Sequence, residues 1–442
     1  MPKSNVKFSC QNCNANTTKW SGKCMQCGAW DSLLEAVTIG FTKQTRLSGP
    51  TTKPDKFHEI ESSCASRMST GNLEVDSVLG GGIVPGSLIL LAGDPGIGKS
   101  TLVLQVAAEV ARKHKVLYVS GEESAAQVKL RGARLKGLNT EFEFLSSTDV
   151  DEVIAHAQTG RYQLVVVDSI QTMASQHLSG SAGTISQVTN NTNSLVQLAK
   201  RTNTAFIVIG HVTKEGNVAG PRLMEHLVDA VLYLEGERYG LIKLLRSVKN
   251  RFGATNEVGM LEMTEGGLSA VSNPSEALLQ ERQELPGSIV FVGMEGTRPI
   301  LVEVQALVSP SVFGYPKRVA DGFDINRLGL LCAVMQKRGG LSLSSQDVYV
   351  NIVGGIKLSE PAIDLAIILA IASASSGKII KPNTVVFGEV GLSGEVRSVN
   401  MPNLRLREAS KLGFLNAIVP SSIKGKNYLA VATITEAITL LK

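Results

Sequence analysis

Four cysteines near the start of the chain, Cys10, Cys13, Cys24 and Cys27, follow the spacing C-x2-C, ten residues, C-x2-C. Each C-x2-C pair sets two thiolates on a tight turn facing one point, and two such turns complete a tetrahedral four-cysteine zinc site. A redox C-x-x-C would use a single pair at a helix start behind a strand; here the pairs are doubled, with little apolar sequence around them. Four protein ligands close the coordination sphere, so this zinc is structural, and it replaces a core that so short a segment cannot build. Trp20, Lys19 and Lys23 on the intervening loop, with Trp30 after it, suit DNA or a protein partner equally well. Cys64 and Cys332 stand alone and read as small buried hydrophobes.

A second group of residues could handle phosphate. Gly93, Asp94, Pro95, Gly96, Ile97, Gly98, Lys99, Ser100 and Thr101 spell GDPGIGKST, which fits G-x4-G-K-[ST]. The glycines let backbone amides wrap phosphates, Lys99 neutralises the outer ones, and the Ser100 hydroxyl suits magnesium. ATP or a similar nucleotide is the expected ligand. Asp168 ends the apolar run YQLVVVD, where a carboxylate beside the phosphate loop serves the magnesium or else caps the turn into SIQTM. The run VLYVS delivers Glu122 and Glu123 to the same edge, and either could orient the attacking water; Glu122 is favoured. His211 ends the run from Ala205 to Gly210 and either senses the γ-phosphate or is an ordinary satisfied histidine. Two stretches leave that edge without a sustained pattern: SQHLSGSAGTISQVTNN, and TKEGNVAGPRLMEH, which carries Lys214 and Arg222. Further on, KNRFG sets Lys249 and Arg251 two apart, so that both can face one side of an extended strand. They fit a phosphate of a neighbouring subunit's nucleotide, a single-stranded nucleic acid, or merely a solvated turn.

The elements that must hold these groups can be read from patterning. SLILLAG is a continuous apolar strand, the glycine loop follows, and STLVLQVAAEVARKH is an amphipathic helix. Alternation of strands and helices over about 65–235 predicts an α/β fold with an open, mainly parallel sheet. After a short helical connector, GSIVFVGMEGTRPILVEVQALV begins a second α+β region. At 442 residues the chain is long enough for several domains; it is 43% hydrophobic and 19% charged, as expected of a globular protein, and its net charge of +5 neither demands nor excludes nucleic acid. No secretory signal opens the sequence, and the apolar run from 362 is broken by Asp364, short of the roughly 20 residues of a membrane span. A cytoplasmic location without membrane attachment is expected.

LGGGIVPGSLILLAGDPGIGKSTL, YVSGEES, GHVTKEGNVAGPRLMEHLVDAVLYLEGE and SVKNRFG, in this order and behind a four-cysteine finger, resemble the bacterial RadA (Sms) DNA-repair ATPase family. The resemblance spans essentially the whole chain. The cysteine spacing and the Thr-, Lys- and Pro-rich stretch behind it read as a finger over 1–35 and a linker over 36–62, and the resemblance implies a RecA-like ATPase over 63–273 and a Lon-protease-like domain over 274–442. It further implies hexameric rings on single-stranded and branched DNA, ATP-driven branch migration, and recombinase and replication or repair proteins as partners. Lys99, Glu122 and Asp168 would then serve catalysis, Lys249 and Arg251 would reach into the neighbouring subunit's site or grip DNA, and Lys214 and Arg222 would contact DNA. A Lon peptidase needs a serine at the start of the buried helix and a lysine after the following hairpin; the matching positions hold Ala362 and an arginine-bearing NMPNLRLRE. Arginine does not give up its proton, so proteolysis is not expected. Lys337, Arg338, Lys357, Lys378, Lys381, Arg405 and Arg407 could instead form a basic face for duplex DNA or merely solvate a ring-forming scaffold. A protein-directed signalling ATPase is the rival reading.

Overall fold

The computed structural model describes residues 7–10, 16–17, 20–30, 33–36, 67–135, 141–211, 224–236, 242–312 and 315–442. The chain divides into two compact units, Met1–Ser62 and Ser63–Lys442. In the first, β1 (Lys7–Cys10) pairs antiparallel with β2 (Asn16–Thr17) and β3 (Leu33–Ala36). Cys10 closes β1, whereas Cys13, Cys64 and residues 37–62 of the expected linker lie outside the described residues.

The second unit holds two large sheets. One contains β4 (Leu88–Gly93), β5 (Val116–Ser120), β6 (Glu143–Ser146), β7 (Leu164–Asp168), β8 (Ala205–His211), β9 (Ala230–Glu235), β10 (Ile242–Asn250), β11 (Val258–Thr264) and β12 (Gly267–Ala270). Their order is β12-β11-β10-β9-β4-β8-β7-β5-β6. The strands from β9 to β6 are parallel, and β10 to β12 extend the sheet antiparallel. Every residue of β4 is buried, because a central parallel strand is covered on both faces. Ile89 and Leu91 enter one apolar cluster and Leu88 and Leu90 the other, the period of two expected of a strand.

Among the helices are α1 (Leu73–Val78), α2 (Lys99–Val110), α3 (Ala125–Arg134), α4 (Val150–Gly160) and α5 (Ile185–Thr202). The start of α5 differs from the sequence reading, which left ISQVTNN within an unpatterned stretch. Polar side chains there are buried and bonded: Gln187 accepts from Ser175 N at 2.9 Å, and Asn191 donates to the Met173 carbonyl at 3.1 Å. The helix face is therefore stitched to the preceding loop by hydrogen bonds, which a hydrophobic period does not detect.

The other sheet, ordered β15-β16-β14-β13-β17-β20-β21, comprises β13 (Ser288–Glu295), β14 (Arg298–Pro310), β15 (Arg318–Asp321), β16 (Gln346–Ile352), β17 (Thr384–Val386), β20 (Asn416–Pro420) and β21 (Tyr428–Val431). β18 (Glu389–Val390) and β19 (Val396–Arg397) form the expected hairpin. Helix α6 (Pro274–Leu279) is the connector; α7 (Ile325–Arg338), α8 (Asp364–Ser376), α9 (Pro402–Lys411) and α10 (Ile434–Thr439) complete the element order. From Asp364 to Ser373 every residue of α8 is buried, so this apolar run is a core helix. No described helix is long and apolar enough to cross a membrane.

The two sheets share packing. Ile242, Leu244, Val258 and Met260 of β10 and β11 belong to the same apolar cluster as the interior of the second sheet. The tip of the β13–β14 hairpin docks beside them: Glu295 pairs with Arg246 at 2.5 Å, and Arg298 binds Glu74 of α1 at 2.6 Å. A Cβ on Gly296 would lie 1.9 Å from the Asn256 carbonyl oxygen, and its φ is +61°, so this turn accepts only glycine.

Candidate nucleotide site

The phosphate loop sits where β4 gives way to α2. Gly98, at φ +118°, caps α2, and a Cβ on Gly93 would lie 2.4 Å from the Leu234 carbonyl oxygen, so the loop can close only with glycine at these two points. Lys99 is buried, and its Nζ donates to the carbonyls of Gly93 at 2.8 Å and Asp94 at 2.9 Å. Burial lowers its pKa, opposed by the charges of Asp168, Asp94 and Glu122. The helix N-terminus and a buried cation converge on one cradle, which is what a polyphosphate requires.

Asp168 ends β7 almost wholly buried, and burial raises its pKa while the hydroxyls of Ser100 and Tyr118 oppose that rise. Tyr118 donates to Asp168 Oδ2 at 3.0 Å; Oδ1 is buried and meets no donor at hydrogen-bonding geometry among the described residues. Glu122 Oε1 accepts from Ser169 Oγ at 2.6 Å and lies 3.1 Å from His211 Nε2. The His211 contact, more than any other, holds the Glu122 carboxyl down to about 2 from its ordinary 4.5. Ligand atoms of Glu122, Asp168 and His211 lie within 4.8 Å of one another. An orphaned buried carboxylate oxygen beside a serine hydroxyl and a second carboxylate is a donor set that fits a hard divalent cation.

Glu123 turns elsewhere. Its carboxylate pairs with Arg131 of α3, and its backbone N–H donates to Ser120 Oγ at 3.0 Å. The geometry thus separates the two adjacent glutamates and sets Glu122 with the phosphate loop. Tyr118, Ser169 and Arg131 were not singled out from the sequence. A tyrosine inside VLYVS reads as core, and only the pairing of Ser120 with Asp168 across β5 and β7 brings its hydroxyl diagonally to the carboxylate.

Lys249 and Arg251 are not brought to this cradle. Lys249 pairs with Val231 across β10 and β9, and Val231 pairs with Leu90, whereas the loop leaves the sheet after Gly93. Lys249 Nζ donates to the carbonyls of Glu225 at 2.7 Å and His226 at 3.3 Å; Arg251 meets Asp229 at 3.2 Å and remains half exposed. Both cations lie at the end of the sheet opposite the phosphate loop. Lys214 and Arg222 fall outside the described residues, as does the path that joins His211 to Met224.

In the finger, Cys24 is buried and Cys27 exposed, on a turn in which Gly28 N donates to the Cys24 carbonyl at 2.9 Å and Cys24 N to Ala29 O at 2.8 Å. This is the knuckle a C-x2-C pair needs to face a metal, so the described half of the donor set fits zinc. Trp20 and Trp30 are exposed, and Lys23 lies 5.4 Å from the Trp30 ring centroid. In the turn that leads into α8, Ala362 is buried. Arg405 is not on a basic surface, contrary to expectation: it is buried, bonded to Glu360 at 2.6 Å and to the Val292 carbonyl at 2.6 Å, beneath the Phe387 ring. Lys337, Arg338, Lys357, Lys378, Lys381 and Arg407 are exposed.

Fold and loop together define a P-loop nucleotide-binding protein with a RecA-like core. Residues 55–217 match the family described as AAA domain, residues 8–35 the rubredoxin metal binding domain, and residues 332–423 subunit ChlI of Mg-chelatase. The chain is 48% identical over 425 residues to DNA repair protein RadA of Streptococcus pyogenes serotype M1, covering 96% of this chain and 94% of that protein. It is 47% identical over 452 residues to DNA repair protein RadA of Bacillus subtilis strain 168, covering 99% of each. Among solved structures it is similar to the RadB recombinase (27% identity, TM-score 0.38, covering 46% of this chain and 100% of that one). It is also similar to a KaiC-like protein from Pyrococcus horikoshii OT3 (17% identity, TM-score 0.40, covering 47% and 99%). The chain belongs to the DNA repair protein RadA family.

Proposed function

We propose that this chain is a DNA-dependent ATPase that assembles head to tail, as a hexameric ring, and drives branch migration of recombination intermediates during repair. The observation that supports this reading best is the placement of two charged groups at opposite ends of one sheet. Lys99, Glu122 and Asp168 gather at the loop end, while Lys249 and Arg251 stand at the far end. A head-to-tail contact brings the far end of one sheet against the loop end of the next, and a closed rotation makes a ring.

In this reading Gly93 to Thr101 cradle the phosphates of ATP, and Lys99 exchanges its carbonyl partners for the outer phosphates. Ser100 and Asp168 would hold magnesium, which when bound neutralises charge on the phosphate oxygens. Glu122, kept ionised by His211 and Ser169, orients the attacking water. His211 leads directly into 212–223, so a change at Glu122 reaches the segment bearing Lys214 and Arg222, the proposed DNA contacts. Arg251, with Lys249, stabilises transferring charge from the neighbouring subunit. Cys10, Cys13, Cys24 and Cys27 would hold a structural zinc in a finger over 1–35, followed by a linker over 36–62. ATPase and Lon-like domains over 63–273 and 274–442 complete the proposed division. The Lon-like domain is read as a scaffold without peptidase activity, since Ala362 occupies the nucleophile position and Arg405 is tied to Glu360.

The test is the ATPase rate with and without single-stranded DNA, alongside strand release from a three-stranded branch. DNA should stimulate hydrolysis, and Lys249→Ala should abolish the stimulation while DNA binding persists. A rate indifferent to DNA would favour a protein-directed ATPase, and loss of DNA binding in the variant would make KNRFG a nucleic-acid grip.

A further inference from the structure

We propose that Tyr118 is a positioning residue for the divalent cation, its hydroxyl fixing Asp168 Oδ2 so that Oδ1 is left for the metal. The inference rests on the reading of Asp168 as a cation-holding carboxylate and names the group that aims it. Tyr118 is fully buried, and its hydroxyl donates to Asp168 Oδ2 at 3.0 Å. Its ring packs beside Phe142 and Phe144, with centroids 6.1 Å away in both cases. Asp168 is itself almost fully buried, and although the Ser100 hydroxyl also acts on its carboxylate, Oδ1 meets no donor at hydrogen-bonding geometry among the described residues.

A buried phenol without a partner is costly, so a tyrosine here rather than a phenylalanine implies that the hydroxyl serves the carboxylate. A hydrogen bond to one oxygen resists rotation of the carboxylate about its broad terminal torsion and so favours one direction for the second oxygen. Partners behind a ligand typically change metal affinity by about 10–100-fold when removed. Tyr118 touches neither the phosphate loop's backbone bonds nor Lys99, so nucleotide affinity without metal does not depend on it.

The experiment uses the full chain and its Tyr118→Phe variant, which keeps the ring beside Phe142 and Phe144. Binding of a fluorescent ATP analogue is measured in EDTA and across a Mg2+ titration, and Mn2+ binding in the presence of ADP is followed by electron paramagnetic resonance. The expected result is unchanged affinity in EDTA, with Mg2+ and Mn2+ half-saturation raised by about 10-fold or more. Half-saturation equal to wild type overturns the inference. So does an equal loss of nucleotide affinity with and without metal together with a lowered melting temperature, which would make Tyr118 a packing residue only. Wild-type protein whose nucleotide binding ignores Mg2+ altogether would remove the cation-holding role of Asp168, and the inference with it.

Discussion

Glu122 and Glu123 are chain neighbours with opposite surroundings. Glu122 accepts from Ser169 and contacts His211, whereas Glu123 is committed to Arg131. Glu122→Gln should therefore lower the ATPase kcat by about 10²–10⁴-fold with ATP binding retained, as expected for loss of a group that handles the attacking water. Glu123→Gln should leave kcat within a few-fold and show itself in thermal stability; steady-state rates and melting curves of the two variants decide between them. The Glu122 pKa lies below the ordinary 4.5, at about 2, so the stabilisation it draws from His211 and Ser169 is complete above the ordinary range and is lost as pH falls toward 2. Urea midpoints of wild type and His211→Ala should accordingly converge near pH 2 and separate as pH rises to about 4.5. The sequence placed both glutamates at the right edge because strand and loop are local features. Which of them faces the phosphate loop depends on Arg131, eight residues on in α3, and no local pattern reports that pairing.

Elements whose signals are local were legible: β4, the glycine loop and α2 read directly from SLILLAGDPGIGKST, and the start of the second α+β region from GSIVFVGMEGTRPILVEVQALV. Elements stabilised by polar contacts were not, as the first turns of α5 illustrate, where Gln187 and Asn191 replace apolar side chains at buried positions. Arg405 was misread for a related reason. On α9 it looks like one more surface cation beside Arg407, but it is buried and bidentate to Glu360, which also accepts from Met294 N at 2.6 Å. Removing one member of a buried ion pair strands the other, so Arg405→Ala should cost about 3–5 kcal/mol, read as a lowered urea midpoint, whereas Arg407→Ala should fall within about 0.5 kcal/mol of wild type. Equal effects of the two substitutions would mean that Arg405 is not an internal strut.

At the scale of the whole molecule, the larger unit is a sheet with the phosphate loop at one end, Lys249 and Arg251 at the other, and a second sheet fastened to its antiparallel extension. Arg246 joins Glu235, which follows the Leu234 that packs on Gly93, to Glu295 at the tip of the β13–β14 hairpin. The phosphate loop and the second sheet are therefore linked through three side chains and a few bonds of backbone, a route by which nucleotide state can reach the second sheet. None of this was visible in spacing, since the residues are brought together by sheet topology rather than by proximity in the chain.

The central claim, that each nucleotide site is completed by Arg251 of the next subunit, is tested most directly by mixing two inactive proteins. Lys99→Ala lacks a working loop but retains Arg251, and Arg251→Ala has the converse defect. Mixed at equal concentrations, roughly a quarter of head-to-tail interfaces should pair an intact loop with an intact arginine, and DNA-stimulated ATP hydrolysis should reappear well above the sum of the separate proteins. A mixture no more active than that sum, under conditions where labelled subunits exchange, would contradict the account and return Arg251 to its own chain.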